Sequence, residues 1–167
     1  TLTEAQRTKI IAISGTPGGD NVSSVGNFLS GFVLDRSGLP LQYAAGLSIL
    51  EFADTIIPNI TRVVLDLNDG KVSIFVEEFV DATPGSNIEF SKISFANVSG
   101  DKAVPMDHTT SVRMENGDDA VLVVQLSERQ RANVIAISGQ RGGDNTAAIL
   151  DVADGAFHDI AKNGVVN

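Results

Sequence analysis

Two loops and a scatter of carboxylates are the parts of this sequence that could do chemistry. Each loop reads Gly-Gly-Asp-Asn: Gly18-Gly19-Asp20-Asn21 and Gly142-Gly143-Asp144-Asn145. A glycine-rich loop invites a phosphate-binding reading. That reading fails on context, because a phosphate loop runs strand, loop, helix and closes on Gly-Lys-Ser/Thr. Here the helical stretch comes first, so the negative end of its dipole faces the loop and repels anions. A tight turn in which Asp caps its own backbone accounts for both loops. The carboxylates lie elsewhere: Glu77-Glu78 with Asp81, Asp118-Asp119, Asp159 and its counterpart Asp35, and Asp54. Oxygen-only donors drawn from several loops suit calcium, which takes about 6–8 of them. No twelve-residue EF-hand loop is present, and Asp66-Leu67-Asn68-Asp69-Gly70 reads more simply as a hairpin turn. His108 and His158 have no partner at metal-ligand spacing and read as surface residues. Ser14 and Ser138 stand outside a Gly-x-Ser-x-Gly elbow.

Composition narrows the field further. The net charge of −9 argues against nucleic acid, which needs clustered Lys and Arg, and against an anionic membrane surface. It favours cations. The absence of cysteine removes disulfides and thiolate metal sites. No apolar run approaches the roughly 18 residues that span a bilayer, so no membrane insertion is expected. The 167 residues suffice for one large or two small domains.

The loops belong to a longer duplication. Residues 2–41 and 126–165 align without a gap at an offset of 124, with 15 identities in 40 positions. A fixed offset marks a repeat array. In each copy a helix is expected over residues 3–14 or their counterparts. Thr3 with Gln6, and Ser127 with Gln130, form capping boxes; Gly15 and Gly139 are expected as C-caps. Strands follow over 22–34 and near 47–53. After a junction at Pro58, Val63, Leu65 and Leu67 alternate, Asp69-Gly70 turns, and Val72, Ile74 and Val76 return. Ile88, Phe90, Ile93 and Phe95 alternate in two phases, with a bulge or bend at Ser91-Lys92. Val112 and Met114 lead to an Asn116-Gly117 turn, and Ala120–Leu126 is a further strand. Ile149, Leu150 and Val152 form the next. Seven or so short strands with hairpin turns make an all-β sandwich.

The order Pro58, Val64-Leu65-Asp66-Leu67-Asn68-Asp69-Gly70, Glu78, Asp81, Leu126-Ser127-Glu128, Gln130-Arg131, Gly142-Gly143-Asp144 and Gly155-Ala156-Phe157-His158-Asp159 resembles a tandem immunoglobulin-like repeat. Such repeats occur in very large secreted or cell-surface proteins of bacteria and marine microalgae, adhesive proteins among them. Where those repeats often close on Asp-x-x-Gly-Asn, this chain has Asp35-Arg36-Ser37-Gly38-Leu39 and Asp159-Ile160-Ala161-Lys162-Asn163. The resemblance implies an immunoglobulin-like β-sandwich with a short helix at one corner connection per repeat. Residues 1–57 are then the C-terminal half of a preceding repeat. Residues 58–167 form a repeat lacking its last strand and are expected to pack with 1–57, in the same chain or a neighbouring one. The strand near 47–53 is the candidate for the missing one.

In such a sandwich the end of the second strand, the turn before the fifth and the turn after the sixth share one end. That gathers Glu78, Asp81, Asp119 and Asp159 beside the junction at Asp54, with Asp35 in the equivalent place of the first copy, as calcium ligands. The function implied is a non-catalytic module of a large extracellular repeat protein, serving cell-surface adhesion or spacing and stiffened by calcium. Its partners are neighbouring repeats of the same chain, and surfaces or extracellular polysaccharide. Two alternatives are a carbohydrate-binding module, for which Tyr43 is a lone aromatic platform, and a hydrolase using paired carboxylates. Asn21-Val22-Ser23, Asn59-Ile60-Thr61 and Asn97-Val98-Ser99 fit the glycosylation pattern.

Overall fold

A computed structural model describes residues 2–98, 100, 102–106, 111–113 (backbone only) and 119–166. His108, Met114, the Asn116-Gly117 turn, Asp118 and Ser99 of the third glycosylation triplet lie outside the described residues. The chain divides into two units, Thr1–Thr55 and Ile56–Asn167, with the division two residues from the expected junction.

The first unit holds helix α1 (Glu4–Ile11) and strands β1 (Val25–Phe28) and β2 (Ala44–Ser48), which pair antiparallel. Thr3 and Gln6 form the expected capping box: Thr3 Oγ1 accepts from Gln6 N at 3.3 Å and Gln6 Oε1 from Thr3 N at 2.9 Å. Ser14 is the one buried residue among residues 2–55. Leu47, Leu50 and Phe52 stay exposed, Phe52 by 82%.

The second unit has one long strand that alternates strictly. Along β4 (Lys71–Val80) positions 72, 74, 76, 78 and 80 are all buried, while Lys71 and Glu77 are exposed. A period of two puts alternate side chains on one face. β3 (Ile60–Asp66) pairs with β4 through the turn Leu67–Gly70, where Gly70 adopts φ +72°. The 3₁₀ turns Gly85–Asn87 and Phe90–Lys92 replace the expected strand through Ile88 and Phe90, so the phase slip is a bend. Then follow β5 (Ile93–Asn97), β6 (Ala103–Pro105), β7 (Ser111–Arg113), β8 (Asp119–Gln125), helix α2 (Glu128–Ala136) and β9 (Ala148–Val152). The strands form two antiparallel sheets, ordered β3-β4-β8-β7 and β6-β5-β9. Val72, Ile74, Leu122 and Val124 of one sheet and Ile93, Phe95 and Val152 of the other are buried in one core, with Val134 of α2 and Phe157. The architecture is all-β and sandwich-like.

Several boundaries differ from the sequence expectation. Both helices stop earlier, at Ile11 and Ala136, and are capped by Ala12 and Ile137 rather than by Gly15 and Gly139. The hydroxyls of Ser14 and Ser138 donate to Ile11 O and Ile135 O at 2.8 Å, turning the chain before either glycine. β1 is four residues long, not thirteen, because Asn21 at φ +66° precedes it and the Asp35 turn follows. β2 ends at Ser48, short of Phe52.

The Gly-Gly-Asp-Asn loop is a structural device in both units. Gly18 and Gly142 take φ +89° and +94°, where an L side chain is strained. Asn21 and Asn145 each take φ +66°, which Asn tolerates better than most residues. Gly19 and Gly143 are needed for another reason. A Cβ there would overlap the carbonyl oxygen of Ser14 or Ser138 and lie 2.6 Å from that of Ile11 or Ile135. Asp20 Oδ1 accepts from Val22 N at 2.9 Å and Asp144 Oδ1 from Thr146 N at 3.0 Å, the expected self-capping. Gly143→Ala should therefore cost about 1–3 kcal/mol, since rigid backbone must shift to admit a methyl. Gly139→Ala meets nothing nearer than Thr146 O at 3.4 Å and should stay within about 0.5 kcal/mol. Urea unfolding of the two variants checks the contrast.

Candidate functional site

The second unit gathers its acidic residues at one end of the sandwich. Glu78 lies on the inner face of β4, where the alternation of Val72, Ile74 and Val76 carries a carboxylate inward; it is 6% exposed. Val80 pairs with Asp119 at the start of β8 and bridges to Asp159. Asp81 N donates to His158 O at 2.9 Å. Backbone pairing thus brings the chain at Asp81, Asp119 and Asp159 to the end of β4 that carries Glu78. Carboxylate oxygens of Glu78 and Asp159 lie within 4.8 Å of each other. Asp81 and Asp159 are buried, and Asp119 is half-buried.

Three of these carboxylates already hold positive or N–H groups. Asp159 Oδ1 accepts from Asn163 N at 2.7 Å, and Oδ2 accepts from Asn163 Nδ2 at 2.9 Å. Asp81 Oδ1 accepts from Asn87 Nδ2 at 2.9 Å, and Oδ2 pairs with Lys162 Nζ. Asp119 Oδ1 accepts from Ala120 N at 2.6 Å. The cation at this end is therefore in part a lysine. Glu77 points outward from β4, and His158 is half-buried rather than at the surface.

Asp35 and Asp54 belong to the first unit. Asp35 Oδ1 accepts from Ser37 N at 2.8 Å and Leu39 N at 2.9 Å, closing its turn. Asp54 Oδ2 accepts from Arg7 Nη1 at 2.8 Å, while Arg7 also forks onto both oxygens of Glu4 at 3.0 Å. Arg131, the counterpart of Arg7, forks onto Glu128 in the same way and donates to Leu67 O at 2.8 Å.

Sequence reasoning passed over three residues that shape this chemistry. Lys162 stands 124 positions after Gly38 and adopts the same left-handed conformation, φ +71° against +81°. The missing glycine of the Asp-x-x-Gly-Asn pattern is thus a lysine in a glycine conformation, with its ammonium on Asp81. Asn163, next to it, bonds both oxygens of Asp159. Glu51 bonds the first loop to β1's approach: Oε2 accepts from Gly15 N at 2.9 Å and Oε1 from Ser24 N at 2.6 Å. Those amide donors, Ser24 first, hold the Glu51 carboxyl below its ordinary range. Asp144 is lowered as well, chiefly by the Thr146 hydroxyl at 2.7 Å and Thr146 N, then by Asn97 and Lys102.

The hydrolase alternative needs an acid and a base facing a bound sugar. Glu78 and Asp159 sit instead against the core, and the Asp159 oxygens are held by the residues of its own turn. Comparison with family models, with curated proteins and with solved structures returned no match.

Two predictions follow from this electrostatic arrangement. A folded-state pKa below the unfolded value gives stability that is present above the ordinary carboxylate range and lost as pH falls through the folded value. Asp144→Asn should flatten the loss of stability on acidification, read by urea unfolding at neutral and acid pH. Lys162→Met should lower stability at neutral pH by about 0.2–1 kcal/mol, the range for an ion pair whose ammonium stays in solvent. A double-mutant cycle with Asp81→Asn should remove that loss, and coupling absent from the cycle would show that Lys162 acts through its backbone alone.

Proposed function

We propose that the chain is a non-catalytic module of a large extracellular protein built from tandem immunoglobulin-like repeats, serving cell-surface adhesion or spacing. The observation that carries this reading is the duplication at the level of hydrogen bonds. Gly31 N to Leu41 O, Leu41 N to Val33 O and Asp35 N to Leu39 O recur as Gly155 N to Val165 O, Val165 N to Phe157 O and Asp159 N to Asn163 O, all within 2.8–3.0 Å. The bridges Leu34–Pro40 and His158–Gly164 match too. The most alike residues of the two copies serve caps and turns, as expected of a structural unit used repeatedly.

Strand order supports the immunoglobulin-like type. Counting β3 to β9 as first to seventh, the sheets run 1-2-6-5 and 4-3-7. Immunoglobulin sandwiches place their A, B, E and D strands in one sheet and C, F and G in the other. With β6 taken as the extra strand beside C and β9 as F, the agreement holds and G alone is wanting. Helix α2 then occupies the connection from E to F, and α1 the same place one repeat earlier. Neighbouring repeats are the natural partners. A helix with a two-stranded sheet is at best marginal alone, and among its described residues the first unit buries only Ser14.

Calcium is the ion this reading takes, at the end where carboxylate oxygens of Glu78 and Asp159 approach within 4.8 Å, with Asp81 and Asp119 as its further expected ligands. Oxygen donors suit it, but it must compete with Lys162 for Asp81. An ion that binds the folded state alone raises the melting temperature. A rise at millimolar calcium over the chelated protein is expected; an unchanged melt removes the ion and leaves the spacer. The location is tested by fractionating the source cells with an antibody to this chain. The signal should appear on the surface or in the medium, at a mass of several repeats, and an intracellular signal would overturn the reading.

A further inference from the structure

We propose that the outer edge of β9, with the groove beside it, is an acceptor site for one further strand of the chemistry of Ala44–Leu50, supplied in tandem by the same polypeptide. The inference rests on the repeat reading above and names the contact by which one repeat would be completed.

Four observations converge on this edge. Among the described residues β9 is paired on one side only, with β5. An unpaired edge presents a row of backbone donors and acceptors. Beside it, within the same unit, runs a groove of about 310 Å³ walled by Ile60 and Val63 of β3, Leu150 and Val152 of β9, and Val165. The groove lies between the edge strands of the two sheets; Asn59 and Val166 complete its wall, and more of its surface is polar than apolar. A strand laid there would bond to β9 through its backbone and seat alternate side chains on those walls.

The first unit shows what such a strand looks like. β1 is the counterpart of β9, and its partner is β2, in the register Val25–Ser48, Gly26–Leu47 and Phe28–Ala44. The turns between match bond for bond up to Leu41 and Val165. A strand in this register would begin three residues beyond Val165, as Ala44 stands three beyond Leu41. It would set Ala44-, Leu47- and Ser48-like residues opposite Val152, Leu150 and Ile149.

Glu51 pins the register. In the first unit its carboxylate bridges Gly15 N and Ser24 N. The counterparts of those amides are Gly139 N and Ala148 N, at the end of the second loop and the start of β9. An incoming strand carrying a Glu three residues past its end would tie loop and strand together in the second unit as in the first.

The test extends the full chain at its C-terminus by a second copy of Ala44–Thr55, which preserves the offset of 124. Exchange of the Ile149–Val152 amides should slow by about tenfold or more, and the urea midpoint should rise. The same extension with proline at its Leu47 position should gain neither, and with Glu51→Gln it should gain only part. A synthetic peptide of residues 41–52 added to the unextended chain should slow the same amides, which keeps the question open to an answer if an extended chain misfolds. Equal exchange in the extended and proline forms, with no effect of the peptide, would overturn the proposal. So would a dimer in sedimentation of the unextended chain whose β9 amides are protected, since a second copy would then hold the edge. Strand pairing in a protein found inside the cell would keep the acceptor edge and discard the extracellular reading; the reverse result would do the opposite.

Discussion

The second unit depends on one close approach. Behind α2 the chain doubles back so tightly that the Gly143 backbone lies against the carbonyl oxygens of Ser138 and Ile135, leaving no room for a Cβ. Because the chain can turn there, β9 leaves the loop already aimed at β5 and pairs with it from Asn97–Ala148 to Ile93–Val152. That pairing brings Val152 to the core and delivers Ala156 and Phe157 to full burial. The Asp159 turn follows directly and reaches Val80, so the acidic end of the unit is placed by a loop some fifteen residues earlier. Gly142, Asp144 and Asn145 serve the same turn by conformation and self-capping. The identity of the two loops is thus explained by steric and hydrogen-bonding demands that arise once per repeat.

The acidic end shows how an alternating strand can carry charge inward. The period of β4 does not break at Glu78, and its register offers no other place for that side chain than the inner face. Burying carboxylates is costly unless they are paired or hydrogen-bonded. The unit meets the cost locally: Asn163 serves Asp159, while Asn87 and Lys162 serve Asp81. Lys162 does so from a left-handed backbone conformation that disfavours any residue with a side chain. In the first copy the same position is Gly38. Lysine at this position therefore exchanges backbone comfort for a cation beside a buried carboxylate.

Local features were the most legible in the sequence. Both capping boxes involve residues three apart and appear as expected, and the Asp69-Gly70 turn follows from its own residue types. Alternation set the two long strands and, through Val72, Ile74 and Val76, the inward placement of Glu78. Short-range competition was harder to read. Ser14 and Ser138 bond the helix end and turn the chain before Gly15 and Gly139, although a glycine after an apolar run is the usual stop signal. The phase slip near Ser91 marked a change of direction but not its form, since a 3₁₀ turn and a bulge leave the same trace in the alternation. Lys162 was invisible as a counter-ion because its partner Asp81 is 81 residues away. The one clue was its place in the repeat, where glycine was expected.

The two units have complementary deficits, and these follow from the geometry of sheets. A sheet strand is stabilised by backbone pairing along its edges and by covering of its faces. The second unit has covered faces and a seven-strand core, but β9 keeps one edge unpaired among the described residues. The first unit has that edge filled, by β2 on β1, but its faces stay open, and Leu47, Leu50 and Phe52 are exposed. Each unit displays what the other lacks. In the first unit β2 begins some nineteen residues after β1, from Val25 to Ala44, and the turn that closes on Leu41 sets which of its residues meet the β1 edge. Glu51 then ties the end of that strand to the loop through Gly15 N and Ser24 N, so that backbone pairing and one carboxylate hold the same register.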